Sequence, residues 1–247
     1  MVYTLGCDKT SHLFYGRKGL KLRTKLSERI LPAYTRKEER VNMVSHIVGS
    51  AMSGMMLVIC MIVAIRNQNA WGIVSGTIYC LSTLLLFVMS SIYHGLKPSM
   101  AKKVFQVLDH CSIYVMIAGT YTPVLLGIFR KQDPVGAWTL LVVIWALAAL
   151  GIVLKAIDLK KFKGLTMTCY LGMGWCILVR LHPLFEAYGK TLFALLLAGG
   201  VLYTVGVAFY ALGRKVKYMH SVFHFMINIA AALHFLGIVL YVLPYAA

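Results

Sequence analysis

Acidic side chains are scarce: eight Asp and Glu stand against 25 Lys and Arg in 247 residues, and only 13% of the chain is charged. Soluble domains run at about 25% charged. A chain of this length that is 60% hydrophobic cannot hide its apolar surface in a water-soluble core, so a membrane protein is expected. A formal charge of +17 would suit a nucleic-acid binder if it formed one face of a soluble fold. Here the basic residues sit between apolar runs, so membrane topology explains them and nucleic acid is excluded as a partner. Residues 1–40 lack an apolar run behind a charged start, so no cleavable signal peptide is expected. Paired cysteines are missing too. Cys7 lies in the basic N-terminal stretch and Cys60, Cys80, Cys111, Cys169 and Cys176 fall in apolar runs, without CxxC spacing, which predicts free, buried thiols.

Seven apolar stretches are long enough to cross a hydrocarbon core, which takes about 20 residues: 41–65, 71–94, 106–128, 136–155, 165–181, 191–212 and 220–243, the fifth being the shortest. Backbone polar groups in lipid must be satisfied within each segment, so the expected fold is an all-α integral membrane bundle of seven transmembrane helices. The connections alternate sharply in basic residues. The N-terminal stretch carries ten and the loops at 95–105, 155–164 and 213–219 carry three, four and three, twenty in all, against five (Arg66, Arg130, Lys131, Arg180, Lys190) on the other side. The positive-inside rule then places the N-terminus in the cytoplasm and the C-terminus outside. Retinal proteins are excluded because residues 221–243 hold no lysine for a Schiff base, and G-protein-coupled receptors because their N-terminus lies outside.

Two parts follow: a basic cytoplasmic tail, 1–40, and a membrane domain, 41–247. In the tail, Leu22, Leu26 and Ile30 recur at helical spacing among Arg23, Lys25 and Arg29, as in an amphipathic helix on the inner membrane surface; a disordered basic tail fits equally. Gly172, Gly174, Gly199, Gly200 and Gly206 suggest close helix packing.

Among the eight acids, Asp109 alone falls inside an apolar run, where an ionisable group costs roughly 2.5–3.5 kcal/mol if central and marks a functional site by default. It lies a few residues into the third span. The second span ends in SSIYH (90–94), which puts His94 at the same membrane level, and the seventh begins with HSVFH (220–224). His220 and His224, four apart, share a helix face. Taken singly, each has a plainer reading: His94 as an interfacial residue, Asp109 as the partner of Lys102 or Lys103. Together, three imidazoles and a carboxylate reach one level from three separate stretches. Three neutral imidazoles with an open fourth position suit Zn²⁺. Asp109 then acts on the water beside the metal, and Ser90, one turn before His94, either bonds a substrate oxygen or its own backbone. His46 either lines this site or packs within the bundle. His110 points about 100° away from Asp109, His234 reads as a satisfied core residue, and His12 and His182 lie out of reach.

The stretches YTRKEERVNMVSHIVG (34–49), SSIYH, LDHCSIYVMIAGTYTP (108–123) and HSVFHFMINIAAALHF (220–235), in this order, resemble the bacterial hemolysin III proteins of the progestin and adipoQ receptor superfamily. The resemblance runs from about residue 40 to the C-terminus, with Ser90, His94, Asp109, His220 and His224 all matching. It implies seven helices with a cytoplasmic N-terminus, zinc on His94, His220 and His224, and kinship with membrane metal hydrolases such as alkaline ceramidases. The functional expectation is a multi-pass protein of the bacterial plasma membrane that hydrolyses an amide or ester of a membrane lipid. The alternatives are a non-enzymatic cytolysin and a membrane-state receptor with structural zinc.

Overall fold

The computed structural model describes residues 24–245, and the side chains among them other than those of 180–188 and 245. Every regular element among the described residues is a helix, without strands. Six helices are long and apolar enough to cross a membrane: α1 (Arg36–Arg66), α2 (Ala70–Gly95), α3 (Met100–Gln132), α4 (Pro134–Ile157), the Gly189–Leu212 part of α6, and α7 (Met219–Tyr241). Between α4 and α6 lies α5 (Lys163–Trp175), only 13 residues long, which tightens into a 3₁₀ turn at Cys176–Arg180. The expected span at 165–181 is therefore two shorter pieces. Gly172 and Gly174 sit in the last turn of α5, and each glycine weakens a helix by about 1 kcal/mol relative to alanine. α6 itself starts at Leu181 and is broken at Gly189, whose φ of 76° is the left-handed conformation that glycine adopts freely.

Helix boundaries follow local chemistry. Thr35 caps α1 through a reciprocal capping box with Glu38, Asn69 caps α2, Ser99 caps α3, and Asp133 with Pro134 starts α4. In α3, Pro123 withholds a backbone donor, and the helix widens into a π-turn at Leu125–Phe129 just beyond it.

α3 is the most enclosed of the spans. It packs on α2, α4 and α5, while α1 packs on α2 and α7, and α6 on α7. The main core joins Tyr79, Tyr114, Leu125, Ile144, Met173 and Ile238. Large apolar residues such as Val48, Val58 and Ile65 of α1 and Val135, Val142 and Val153 of α4 face outward, as lipid-facing surfaces do. The close approaches occur at glycines the sequence reading passed over. A Cβ at Gly119 would overlap Ser82, and one at Gly151 would overlap the Tyr114 ring; Gly172 and Gly174 instead meet nothing within 4 Å among the described residues. Gly199 does pack closely, against His234.

The basic connections gather at one end of the bundle. There Glu38 accepts the backbone N–H of Tyr218, Lys102 pairs with Glu39 at 2.9 Å, and Thr24 donates to Asp158 at 2.7 Å. Of the proposed surface helix, Leu22 lies outside the described residues, as do Cys7 and His12. Leu26–Glu28 forms a single 3₁₀ turn, and the chain then runs extended to Tyr34 across the end of the bundle. The five described cysteines are free, as expected, but of these only Cys60 and Cys80 are buried; Cys111, Cys169 and Cys176 are half-buried.

Candidate metal centre and its cavity

Three imidazoles converge at this basic end. His94 from the last turn of α2 and His220 and His224 from the first two turns of α7 each present a nitrogen, all within 4.8 Å of one another, and all three residues are buried. Their hydrogen bonds set the tautomers. His94 directs Nδ1 at Glu39 Oε2, 2.6 Å away, which leaves Nε2 as a lone pair, buried and without a partner. His224 donates Nδ1–H to the carbonyl of Asn42 at 3.2 Å, so its Nε2 accepts from His220 Nε2 at 3.1 Å. His220 stacks on Tyr34 at 4.9 Å and 17°, its Nδ1 unpartnered. The buried lone pair of His94 Nε2 has no partner among the described residues, a hydrogen-bonding capacity left unmet; a cation among the three rings would meet it and take the place of the His220–His224 hydrogen bond. The donor set therefore fits zinc.

α1 supplies the support, on a face the sequence reading missed. Glu38, Asn42, Ser45, His46, Gly49 and Ser53 recur at three- and four-residue spacing and are buried. Asn42 accepts from Ser221 at 2.6 Å as well as from His224, and His46 lies flat against His224, 3.8 Å between ring centres. Glu39 joins His94 to Lys102, whose ammonium also donates to the carbonyls of Tyr93 and Leu96. Lys102 is thus occupied by Glu39 and does not neutralise Asp109. A sequence signal for Glu39 existed: Thr35-x-x-Glu38 before an apolar run is a capping box, which starts α1 at Arg36 and carries Glu39 into the membrane domain.

His220 and His224 line a cavity of about 630 Å³ between α3, α5, α6 and α7. Ser90 and Asp109 stand on its wall. Ser90 neighbours the Asp109 carboxylate, which lies 3.8 Å from His110 Nδ1. His110 also lines the cavity, donating to or accepting from Tyr210 at 3.4 Å. Farther in, the walls turn apolar, with Ile113, Met116, Ile117, Trp175 and Phe223, and His234 near the far end. The extended segment before α1 closes the near end through Leu31, Pro32 and Tyr34. Burial pushes the Tyr34 phenol well above its ordinary pKa, so it remains a neutral cover over His220.

A family model described as haemolysin-III related matches residues 34–235, which takes in every residue of this site. Hemolysin-3 of Bacillus cereus is 40% identical over 211 residues, covering 85% of this chain and 94% of its own. The hemolysin-3 homolog of Bacillus subtilis is 39% identical over 203 residues, 82% of this chain and 93% of its own. The human monocyte to macrophage differentiation factor is 27% identical over 180 residues, 70% and 72% of the two chains.

Proposed function

The chain belongs to the haemolysin-III-related family and is a multi-pass protein of a bacterial membrane, and from that premise we propose that it is a zinc-dependent hydrolase of an amide or ester bond in a membrane lipid. The observation that carries the reading is the trio of buried, mutually facing imidazole nitrogens, two of whose rings, His220 and His224, stand on the wall of a lipid-sized, mostly apolar cavity.

His94, His220 and His224 hold the metal. Zinc, when bound, supplies Lewis acidity that lowers the pKa of water toward about 7. Asp109 takes the proton of the water that attacks the substrate carbonyl and returns it to the departing amine or alcohol. Ser90 orients that carboxylate or hydrogen-bonds the oxygen on which charge develops. Glu39 holds His94 in the tautomer that offers Nε2, as carboxylates behind metal-binding histidines do. Tyr34 and the segment before it keep bulk water from the near end.

In this reading the membrane is crossed seven times. Residues 163–188 make the fifth crossing, supported by the course of α5 beside α3: Tyr170 bonds the carbonyl of His110, and Tyr121 bonds that of Gly174. Tyr114 bonds the carbonyl of Thr166 as well, so from Tyr114 to Tyr121 and from Thr166 to Gly174 the two helices run parallel over about 11 Å at 1.5 Å per residue. The basic end faces the cytoplasm by the same charge count as above.

Metal analysis of detergent-purified protein tests the site, beside a His94→Ala/His220→Ala/His224→Ala variant. About one zinc per chain in the parent and none in the folded variant is expected. No stoichiometric metal in either ends the hydrolase reading. A zinc-loaded parent that hydrolyses no lipid amide or ester, while releasing dye from liposomes, turns it toward membrane permeabilisation.

A further inference from the structure

The mouth of the cavity holds cationic side chains that no carboxylate among the described residues meets in an ion pair. Lys155, in the last turn of α4, is 3% exposed and lines the cavity. Its ammonium lies 5.4 Å from the centre of the Tyr170 ring, with no hydrogen bond or ion pair to any described residue. Arg29 reaches the same place from the extended segment. Its Nη2 donates to the carbonyls of Ala156 and Ile157, at 3.4 and 3.1 Å, while Nε and Nη1 are buried and unpartnered. Lys163 and Arg214 line the same mouth. Asp158, the nearest acid in sequence, is already engaged: it accepts the backbone N–H groups of Thr24, Lys160 and Lys161. Glu28 also lines the mouth but is exposed.

A nearly buried lysine whose ammonium meets only an aromatic ring is expensive to keep charged. A guanidinium with two free nitrogens beside it forms the planar donor set that carboxylates and phosphates take. Tyr170, beneath Lys155, is hydrogen-bonded to the carbonyl of His110, next to Asp109. A group seated on Lys155 and Arg29 would thus lie beside the wall that carries the candidate acid, with the apolar cavity open to a chain attached to it.

We propose that Lys155 and Arg29 form a binding site for the anionic phosphate or carboxylate headgroup of an acyl lipid whose chain occupies the cavity. This rests on reading the cavity as lipid-binding, and it narrows the substrate from any lipid amide or ester to an acidic one.

The test is equilibrium binding to the full chain in neutral detergent micelles. Radiolabelled monooleoylglycerol is compared with its phosphate, oleoyl lysophosphatidate, the two differing only in the anion. The phosphate ester is expected to bind about tenfold more tightly or better, the effect of charge-assisted hydrogen bonds. Lys155→Gln and, separately, Arg29→Gln should each reduce that preference, leaving monooleoylglycerol affinity unchanged. Lys155→Arg should keep it, and Lys97→Gln, which removes an exposed cation of the same end outside the cavity, should not alter it. Because Arg29 lies before the first helix, its variant preserves the test if Lys155→Gln fails to fold. Inorganic phosphate that competes only weakly supports a lipid-borne anion; phosphate that competes as well as the lipid overturns the role of the chain. Equal binding of the two lipids by the parent overturns the proposal, as does a preference that survives both substitutions. The preference is also expected in folded His94→Ala/His220→Ala/His224→Ala protein. Its survival there separates this site from the metal reading, which can fail alone; its loss there assigns the anion to the histidines and overturns the proposal.

Discussion

At the scale of single residues, Glu39 separates a metal site from a chance meeting of histidines. It bonds His94 at 2.6 Å and is itself held by Lys102, so its removal should change metal affinity without touching a ligand. Glu39→Gln should weaken zinc binding about 10- to 100-fold, read by competition with a chromogenic chelator; unchanged affinity would show that the carboxylate serves only Lys102. Asp109→Asn makes the opposite division. It should keep about one zinc per chain and lose lipid hydrolysis by roughly 100-fold or more, whereas loss of zinc from a folded Asp109→Asn protein would place the carboxylate among the ligands. His94, His220, His224, Asp109 and Ser90 were legible in the sequence because an ionisable or polar residue at the end of an apolar run has its depth set by the run itself. Glu39, Asn42 and Lys155 were not. Each lies beside a basic or polar stretch, where composition assigns it to a solvated connection, and only packing turns it inward.

Among elements, six helices were legible from length and hydropathy, while α5 was not, because its run of apolar residues hides two glycines and a change to 3₁₀ geometry. Glycine roles likewise depend on what stands opposite. A Cβ at Gly151 of α4 would overlap the ring of Tyr114, which is fully buried and bonded to the carbonyl of Thr166, so the α3, α4 and α5 contact leaves no room there. Gly151→Ala should destabilise the folded protein by about 1–3 kcal/mol, as overpacking does. Gly172→Ala, with nothing within 4 Å and a helical position, should be neutral or stabilising by up to about 1 kcal/mol. Thermal unfolding in detergent reads both; a lower midpoint for Gly172→Ala would mean that a surface outside the described residues packs on α5.

For the whole molecule, the proposed site requires that the end carrying the basic connections be the cytoplasmic one and that residues 163–188 cross. Single cysteines at exposed positions decide both requirements, with the parent as blank, since its described cysteines are buried or half-buried. Asn67→Cys lies in the connection from α1 to α2 and Lys97→Cys in that from α2 to α3, so they mark opposite ends of the bundle. On intact cells a membrane-impermeant maleimide should label Asn67→Cys, and should label Lys97→Cys only after permeabilisation. Lys190→Cys, just past the break at Gly189, separates six crossings from seven. Labelled like Asn67→Cys, it places the start of the last α6 segment outside, and only a crossing by α5 and the turns after it can carry the chain there from Lys163. Labelled like Lys97→Cys, it leaves 163–188 folded back on one side, and the α6 segment Gly189–Leu212 would then deliver His220 to the end opposite His94. In the proposed arrangement His94 and His220, whose nitrogens lie within 4.8 Å of each other, share one end of the bundle, which takes an even number of crossings between Gly95 and Met219. With α3, α4 and α6 each crossing, the seven-crossing reading assigns the fourth to α5, and labelling of Lys190→Cys like Lys97→Cys would overturn that reading.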